Sequence, residues 1–209
     1  MSRLIVTNVE TQNIKFDSDT TAFTIGSDGV VTGTGNNFAM VKLLGATISS
    51  PVAKYHINDT YITSTYDHYM IQAEFLPATD NVYLYSQVYV SGSAVTGTDY
   101  GYETAAMSSS AYDNQDDNSN LCKYAHSQCG NATGEGITLN AHLQNVNSTT
   151  RPTVISGFAN VLNTTADHNA ATFTGSMSVG NAGSVVNGID FWFNSGNIAS
   201  GTVKLYGFK

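Results

Sequence analysis

Residues 188–209 read GIDFWFNSGNIASGTVKLYGFK, and this stretch decides the fold. Ile189, Phe191 and Phe193 alternate with Asp190 and Trp192, and Val203, Leu205 and Gly207 alternate with Lys204, Tyr206 and Phe208. A period of two marks strands that bury one face. Asn194-Ser195-Gly196-Asn197, between them, has turn chemistry, because Gly tolerates positive φ and Asn bonds to its own backbone. Chain ends that nothing ties down are usually disordered. This one is expected to be a paired strand inside a sheet.

Working outward, strands are expected near 39–48, 52–57, 60–66, 68–76, 82–90, 100–107, 119–126, 137–144, 153–161, 171–178, 185–193 and 202–208. Turn signals separate them and no helical period intervenes, which predicts an all-β chain, an antiparallel β-sandwich of the jelly-roll kind. Tyr69, Ile71, Ala73 and Phe75 share one face, and Pro77-Ala78-Thr79-Asp80-Asn81 turns the chain. Residues 91–120 are polar and read as an extended surface excursion. Residues 1–35 read as a short β arm, with Asp28-Gly29 marking a hairpin turn, and residues 36–209 as the sandwich. The arm is too small to bury Leu4, Val6, Ile14, Phe16, Phe23 and Ile25 by itself. Burial of such side chains is worth about 1.5–3 kcal/mol each. The arm therefore calls for a partner, and identical copies of the chain in a closed symmetric assembly are one source of cover.

Charged residues make up 11% of the 209, and the net charge is −8. That balance disfavours nucleic acid, whose phosphates need a basic footprint, and disfavours an anionic membrane surface. The opening MSRLIVTNVE does not read as a secretory leader, and no apolar run has the length of a membrane span. Cys122 and Cys129 either close a small loop as a disulfide or stay reduced. His126 beside them leaves a metal-ligand set incomplete. Sequons at Asn58, Asn131, Asn147 and Asn163 are read as chance in a chain rich in Asn and Thr.

No phosphate loop, nucleophile elbow or metal-binding histidine pair is legible, so no catalytic residues and no cofactor are assigned and an enzyme is not expected. Asp67-His68 and Asp167-His168 are adjacent pairs, which on a strand point to opposite faces. Asp113, Asp116 and Asp117 are candidate Ca²⁺ ligands, or simply a solvated acidic stretch. The most informative feature is Tyr83, Tyr85 and Tyr89, expected on one side of a strand whose other side carries Val82, Leu84, Val88 and Val90. Tyrosine combines a rigid apolar body with a polar tip, which suits a subunit interface or a platform for sugars; a covering layer within one subunit is the alternative.

The ending 188–209, the block YMIQAEFLPATDNVYLYSQV at 69–88 and the opening TTAFTIGSDGVVT at 20–32 together resemble structural proteins of marine tailed bacteriophages, cyanophages among them. In this resemblance the ending is a closing hairpin. It implies a non-enzymatic virion protein, displayed on the particle as a capsid decoration or tail-fibre component, attached by its N-terminal arm and assembled in the host cytoplasm. It also implies other virion proteins as partners and a homotrimer. A carbohydrate-binding adhesin that recognises host-surface glycans is the alternative.

Overall fold

In the computed structural model the described residues are 13–15, 21–25, 31–33, 40–106, 113–165, 167–177 and 181–208. The chain divides into two compact units, Met1–Met40 and Val41–Lys209. The first holds β1 (Asn13–Lys15), β2 (Thr21–Ile25) and β3 (Val31–Gly33), an antiparallel sheet in that order. Ile14 pairs with Phe23, and Phe23 with Gly33. The turn expected at Asp28-Gly29 lies outside the described residues.

The second unit carries β4 (Val41–Ile48), β5 (Tyr55–Ile57), β6 (His68–Pro77), β7 (Leu84–Val90), β8 (Ser93–Ala94), β9 (Tyr100–Ala106) and β10 (Asp113–Ser119). It continues with β11 (Cys122–Lys123), β12 (Gly136–Gln144), β13 (Val154–Leu162), β14 (His168–Met177), β15 (Val186–Phe193) and β16 (Ile198–Phe208). These form an eight-stranded sheet, β10-β9-β14-β13-β12-β6-β16-β4, and a five-stranded sheet, β11-β7-β15-β5 with β8 beside β7. All pairings are antiparallel, and the two sheets pack as the expected sandwich. Among the described residues thirteen strands split eight and five, an order that shows a sandwich and does not by itself show a jelly roll. No helix among the described residues is long and apolar enough to cross a membrane.

Alternation builds the core. On β12, Ile137, Leu139, Ala141 and Leu143 are buried while Thr138, Asn140 and His142 are exposed. Tyr69, Ile71, Ala73 and Phe75 of β6 point inward as a set. Rings join the sheets: Phe75 lies 5.7 Å from Phe191, and Tyr124 lies 4.8 Å from Phe173 and 5.8 Å from Phe191 between centroids. The Tyr124 hydroxyl, buried with its ring, donates to Ser86 Oγ at 2.6 Å. A buried phenol needs such a partner to offset its desolvation.

The ending is not a hairpin. β15 pairs with β7 and β5 in one sheet, and β16 pairs with β6 and β4 in the other. The turn chemistry at 194–197 is real, but it swings the chain across the core, so that the apolar faces of β15 and β16 oppose each other instead of lying side by side. Residues 77–83 do the same between β6 and β7, and the two crossings stack. Ala78 N–H donates to Asn197 O at 2.8 Å, Asn194 N–H to Tyr83 O at 3.0 Å and Tyr83 N–H to Asn194 Oδ1 at 2.8 Å. Gly196 sits at φ 71°, and a Cβ there would strike the Thr79 hydroxyl, so two reasons require glycine. As expected, the last strand is an interior one.

Several stretches differ from expectation. Residues 60–66 form turns: Tyr61 and Ile62 N–H both donate to Asn58 O at 3.1 Å, and Ile62 is buried as a plug instead of lying along a strand. In the polar stretch 91–120, β9 is the strand expected at 100–107, while β8 and β10 were not expected. Tyr100 and Thr104 are buried where β9 pairs with β14, so an existing sheet supplies the template that local propensity lacks. The strand expected at 119–126 shortens to β11.

Candidate aromatic and ionic face

Alternation on β7 turns Leu84, Ser86 and Val88 into the core and leaves Tyr85, Gln87 and Tyr89 on the outer face, with Tyr83 just before the strand. This is the arrangement expected for the three tyrosines. β15 lies beside β7, with Trp192 opposite Tyr85 and Asp190 opposite Gln87; β5 lies on the far side of β15, with His56 opposite Asp190. The outer face therefore also holds Asp190, Trp192, His56 and, just before β5, Lys54.

Asp190 is the centre. It is only 2% exposed, and its Oδ1 lies 2.6 Å from His56 Nδ1. Its Oδ2 accepts the Tyr89 hydroxyl at 2.7 Å and lies 3.6 Å from Lys54 Nζ. A carboxylate removed from water stays tolerable when several donors and a cation surround it. The Tyr89 hydroxyl is pushed up to about 12, first by burial, then by its donation to Asp190 and by the negative charge there. Gly188 makes the room: a Cβ would stand 3.1 Å from His56 Cε1 and 3.2 Å from Tyr89 Cβ.

The rings are largely engaged. His56 and Tyr89 are 4.4 Å apart between centroids, and Tyr85 meets Trp192 edge-on at 6.1 Å. Lys54 Nζ stands 4.2 Å from the centre of the Trp192 ring, and Lys123 Nζ 3.7 Å from that of Tyr83. Such cation–π contacts take up aromatic surface that a sugar would otherwise stack on. Burial lowers the Lys123 ammonium and, with the nearby Tyr83, raises the Tyr85 phenol. Gln87 Nε2 donates to Asn120 O at 2.8 Å. Asp190, Trp192, His56 and Lys54 are functional candidates that local sequence pattern does not single out. Asp190 was visible as an acid inside an apolar strand, but its His56 partner lies 134 residues away and nothing local points to it.

Cys122 and Cys129 are free buried thiols, not a disulfide. Cys122 pairs with Ser86 and Cys129 bridges to Val82, four residues apart along one stretch of chain. At about 3.3 Å per residue that is roughly 13 Å, about twice the reach of a disulfide. Burial raises both thiols to about 12. Asp116 Oδ1 accepts the backbone N–H of Asn118 at 3.0 Å, while the side chains of Asp113 and Asp117 lie outside the described residues. Among the described residues no group of three His, Cys, Asp or Glu side chains converges as a metal site. Two sequon asparagines are tied by their side chains: Asn147 Nδ2 donates to the distant Tyr66 O at 2.7 Å, and Asn163 Oδ1 accepts Asp167 N–H at 2.9 Å within its own turn. No protein-family model, no curated protein and no solved structure matches the chain.

Proposed function

We propose that the chain is a non-enzymatic structural protein of a tailed-bacteriophage particle, displayed at its surface and attached through its N-terminal strands. The observation that carries this reading is the division after Met40, which sets three strands of three, five and three residues apart from a complete sandwich. A sheet that small is marginal in water, so it suits an element that gains stability from the surface it docks on. The resemblance of 20–32, 69–88 and 188–209 to phage structural proteins supplies the particle.

The face around Tyr83, Tyr85 and Tyr89 is proposed as the contact between copies, in a trimer. Its tyrosines and Trp192, held in place by Asp190 and the lysines, are a pre-organised aromatic surface, and aromatic residues are what interfaces favour. Two measurements test the reading. Immuno-electron microscopy with an antibody to this chain is expected to decorate the outside of purified particles; absence from the particles overturns the reading. Light scattering is expected to find an oligomer that Tyr85→Glu weakens without lowering the melt of the subunit, and a parent chain that is monomeric at micromolar concentration removes the self-contact. Recognition of host glycans is a second reading, favoured by a groove on the other sheet.

A further inference from the structure

The outer face of the eight-stranded sheet carries that groove where β16, β6 and β12 lie side by side. Alternation lifts Gln72 and Glu74, Thr138 and Asn140, and Thr202 and Lys204 out of the core. Register sets them in two rows across the strands, Thr202–Glu74–Thr138 and Lys204–Gln72–Asn140. They line a depression of about 260 Å³. It shares Glu74 and Thr138 with a second depression of about 380 Å³, formed beside the bulge of β16 between Ile198 and Ser200. That end is lined by glycine backbone. Gly136 sits at φ 110°, and a Cβ on Gly201 would strike the Glu74 carbonyl oxygen.

The second row runs on to β13, where Asn140 pairs with Phe158. Phe158 is 57% exposed, more than any other large hydrophobic side chain among the described residues. It is not held by a core contact in the way Phe75 is, at 2% exposure. A bare ring beside amides, hydroxyls and a carboxylate offers one apolar plane and several donors and acceptors. A saccharide has the complementary surface: a C–H face that lies on a ring, and hydroxyls that both donate and accept. Concave sites with a few convergent polar groups are where small ligands bind, and the larger depression has the volume of a modest one. From residue 72 to 76 the groove runs about 13 Å along β6, room for a short oligosaccharide.

We infer that this groove binds a neutral oligosaccharide, stacked on Phe158 and hydrogen-bonded by Asn140, Gln72 and Glu74. An acidic glycan is disfavoured by charge: Glu74 and Glu135 outnumber Lys204 along the groove, and a chain of net −8 repels an acidic glycan at long range. The inference rests on the host-recognition reading and moves it from the tyrosine face to the opposite sheet.

The test is a glycan array probed with the full chain, bearing neutral hexose- and N-acetylhexosamine-terminated oligosaccharides beside sialylated, uronic and sulfated ones. Neutral members are expected to bind. Phe158→Ala and Asn140→Ala are each expected to weaken binding about tenfold, the scale of one ring or hydrogen-bond contact. Thermal melts of the variants check that they fold, and Tyr83→Ala on the other sheet is expected to leave binding unchanged. No bound member, acidic members alone, or binding that survives both groove substitutions overturns the inference. Binding lost with Tyr83→Ala but kept with Phe158→Ala also overturns it while sparing host recognition, which then belongs to the tyrosine face.

Discussion

The two outer faces of this sandwich obey the same alternation and end differently. On the five-stranded sheet the outward side chains close on one another, with His56 of β5, Asp190 of β15 and Tyr89 of β7 tied in a line across three strands. On the eight-stranded sheet Thr138, Asn140, Phe158 and Lys204 stand exposed. The strand lengths give a reason. β5 has three residues, β7 seven and β15 eight; on the other sheet β4, β9 and β10 have seven or eight, but β12, β13 and β16, which carry those exposed side chains, run from nine to eleven. A long strand is held by its ladder, so its outer side chains are free for other uses. A three-residue strand has few ladder bonds, and side-chain ties across it add what the backbone cannot. Alternation decides which residues leave the core; the strength of the ladder decides whether they must then hold the sheet together.

Removing the tie is the most direct way to break that comparison. Asp190→Ala leaves His56 Nδ1 and the Tyr89 hydroxyl without their acceptor, while the His56 side chain, 40% exposed, recovers part of its loss from water. The expected cost is about 2 kcal/mol, the scale of hydrogen bonds to a buried charge. For a chain of this size that lowers the melting temperature by about 4–8 °C. Asp190→Asn, which keeps an acceptor but no charge, is expected to lose less. If Asp190→Ala melts like the parent, the tie is ornamental and the strand-length argument fails.

Tyr89→Phe is the next smaller effect, about 1.5 kcal/mol for one hydrogen bond to a carboxylate. It also sharpens the pH behaviour. The folded Tyr89 phenol is held near 12 against an ordinary value of 10.0, and the folded Cys122 and Cys129 thiols near 12 against 9.0. All three are acids raised on folding, so the folded state binds their protons more tightly. Their contribution is complete below the unfolded values and is lost as pH rises through the folded ones. Stability is therefore expected to fall from about pH 9 upward, and between 10 and 12 Tyr89→Phe is expected to lose less than the parent. Urea unfolding measured from pH 8 to pH 11 decides this; parallel curves would remove Tyr89 from the account. At pH 8 neither thiol is expected to react with a disulfide reagent until the chain unfolds.

Much of the sandwich was legible because strands of period two declare both their existence and their inward face. Tyr69, Ile71, Ala73 and Phe75 are an example, and β12 and β16 follow the same pattern. Which strand pairs with which was not legible. Asn194–Asn197 has the chemistry of a turn whether it joins neighbours in one sheet or crosses between two, and only the burial of Phe193 and Ile198 on opposite sides of one core separates the cases. β10, sequence DNQDDNS, has almost no strand propensity, so its sequence reads as part of an excursion; pairing with β9 makes it an edge strand. The tyrosine face was found for the same reason as the core, by alternation. Its centre, Asp190 with His56, was not, because a contact across 134 residues depends on which sheet each strand enters. The groove was hidden twice over. Its polar residues look like any solvated strand face, and its glycines act through backbone approaches that the sequence does not order.

The smallest expected effect tests the other side of the comparison. If the outer face of the eight-stranded sheet does not hold the sheet together, its most conspicuous side chain can be removed at almost no cost to folding. Phe158→Thr replaces an aromatic strand former on β13 with a β-branched one, so strand preference is preserved while the ring goes. With 57% of the residue exposed, little apolar surface returns to water, and the expected change is within about 0.5 kcal/mol. Phe75→Ala, on the inner face of β6, is the contrasting case, at about 3–5 kcal/mol for a buried ring. The measurement is urea unfolding of Phe158→Thr at several protein concentrations. A loss above about 1 kcal/mol that is independent of concentration would mean that the ring is packed within the subunit and that this face is spent on stability like the other. A loss that appears only at high concentration would mean that a second copy covers the ring, and the contact between copies would then lie on this sheet and not on the one bearing Tyr85.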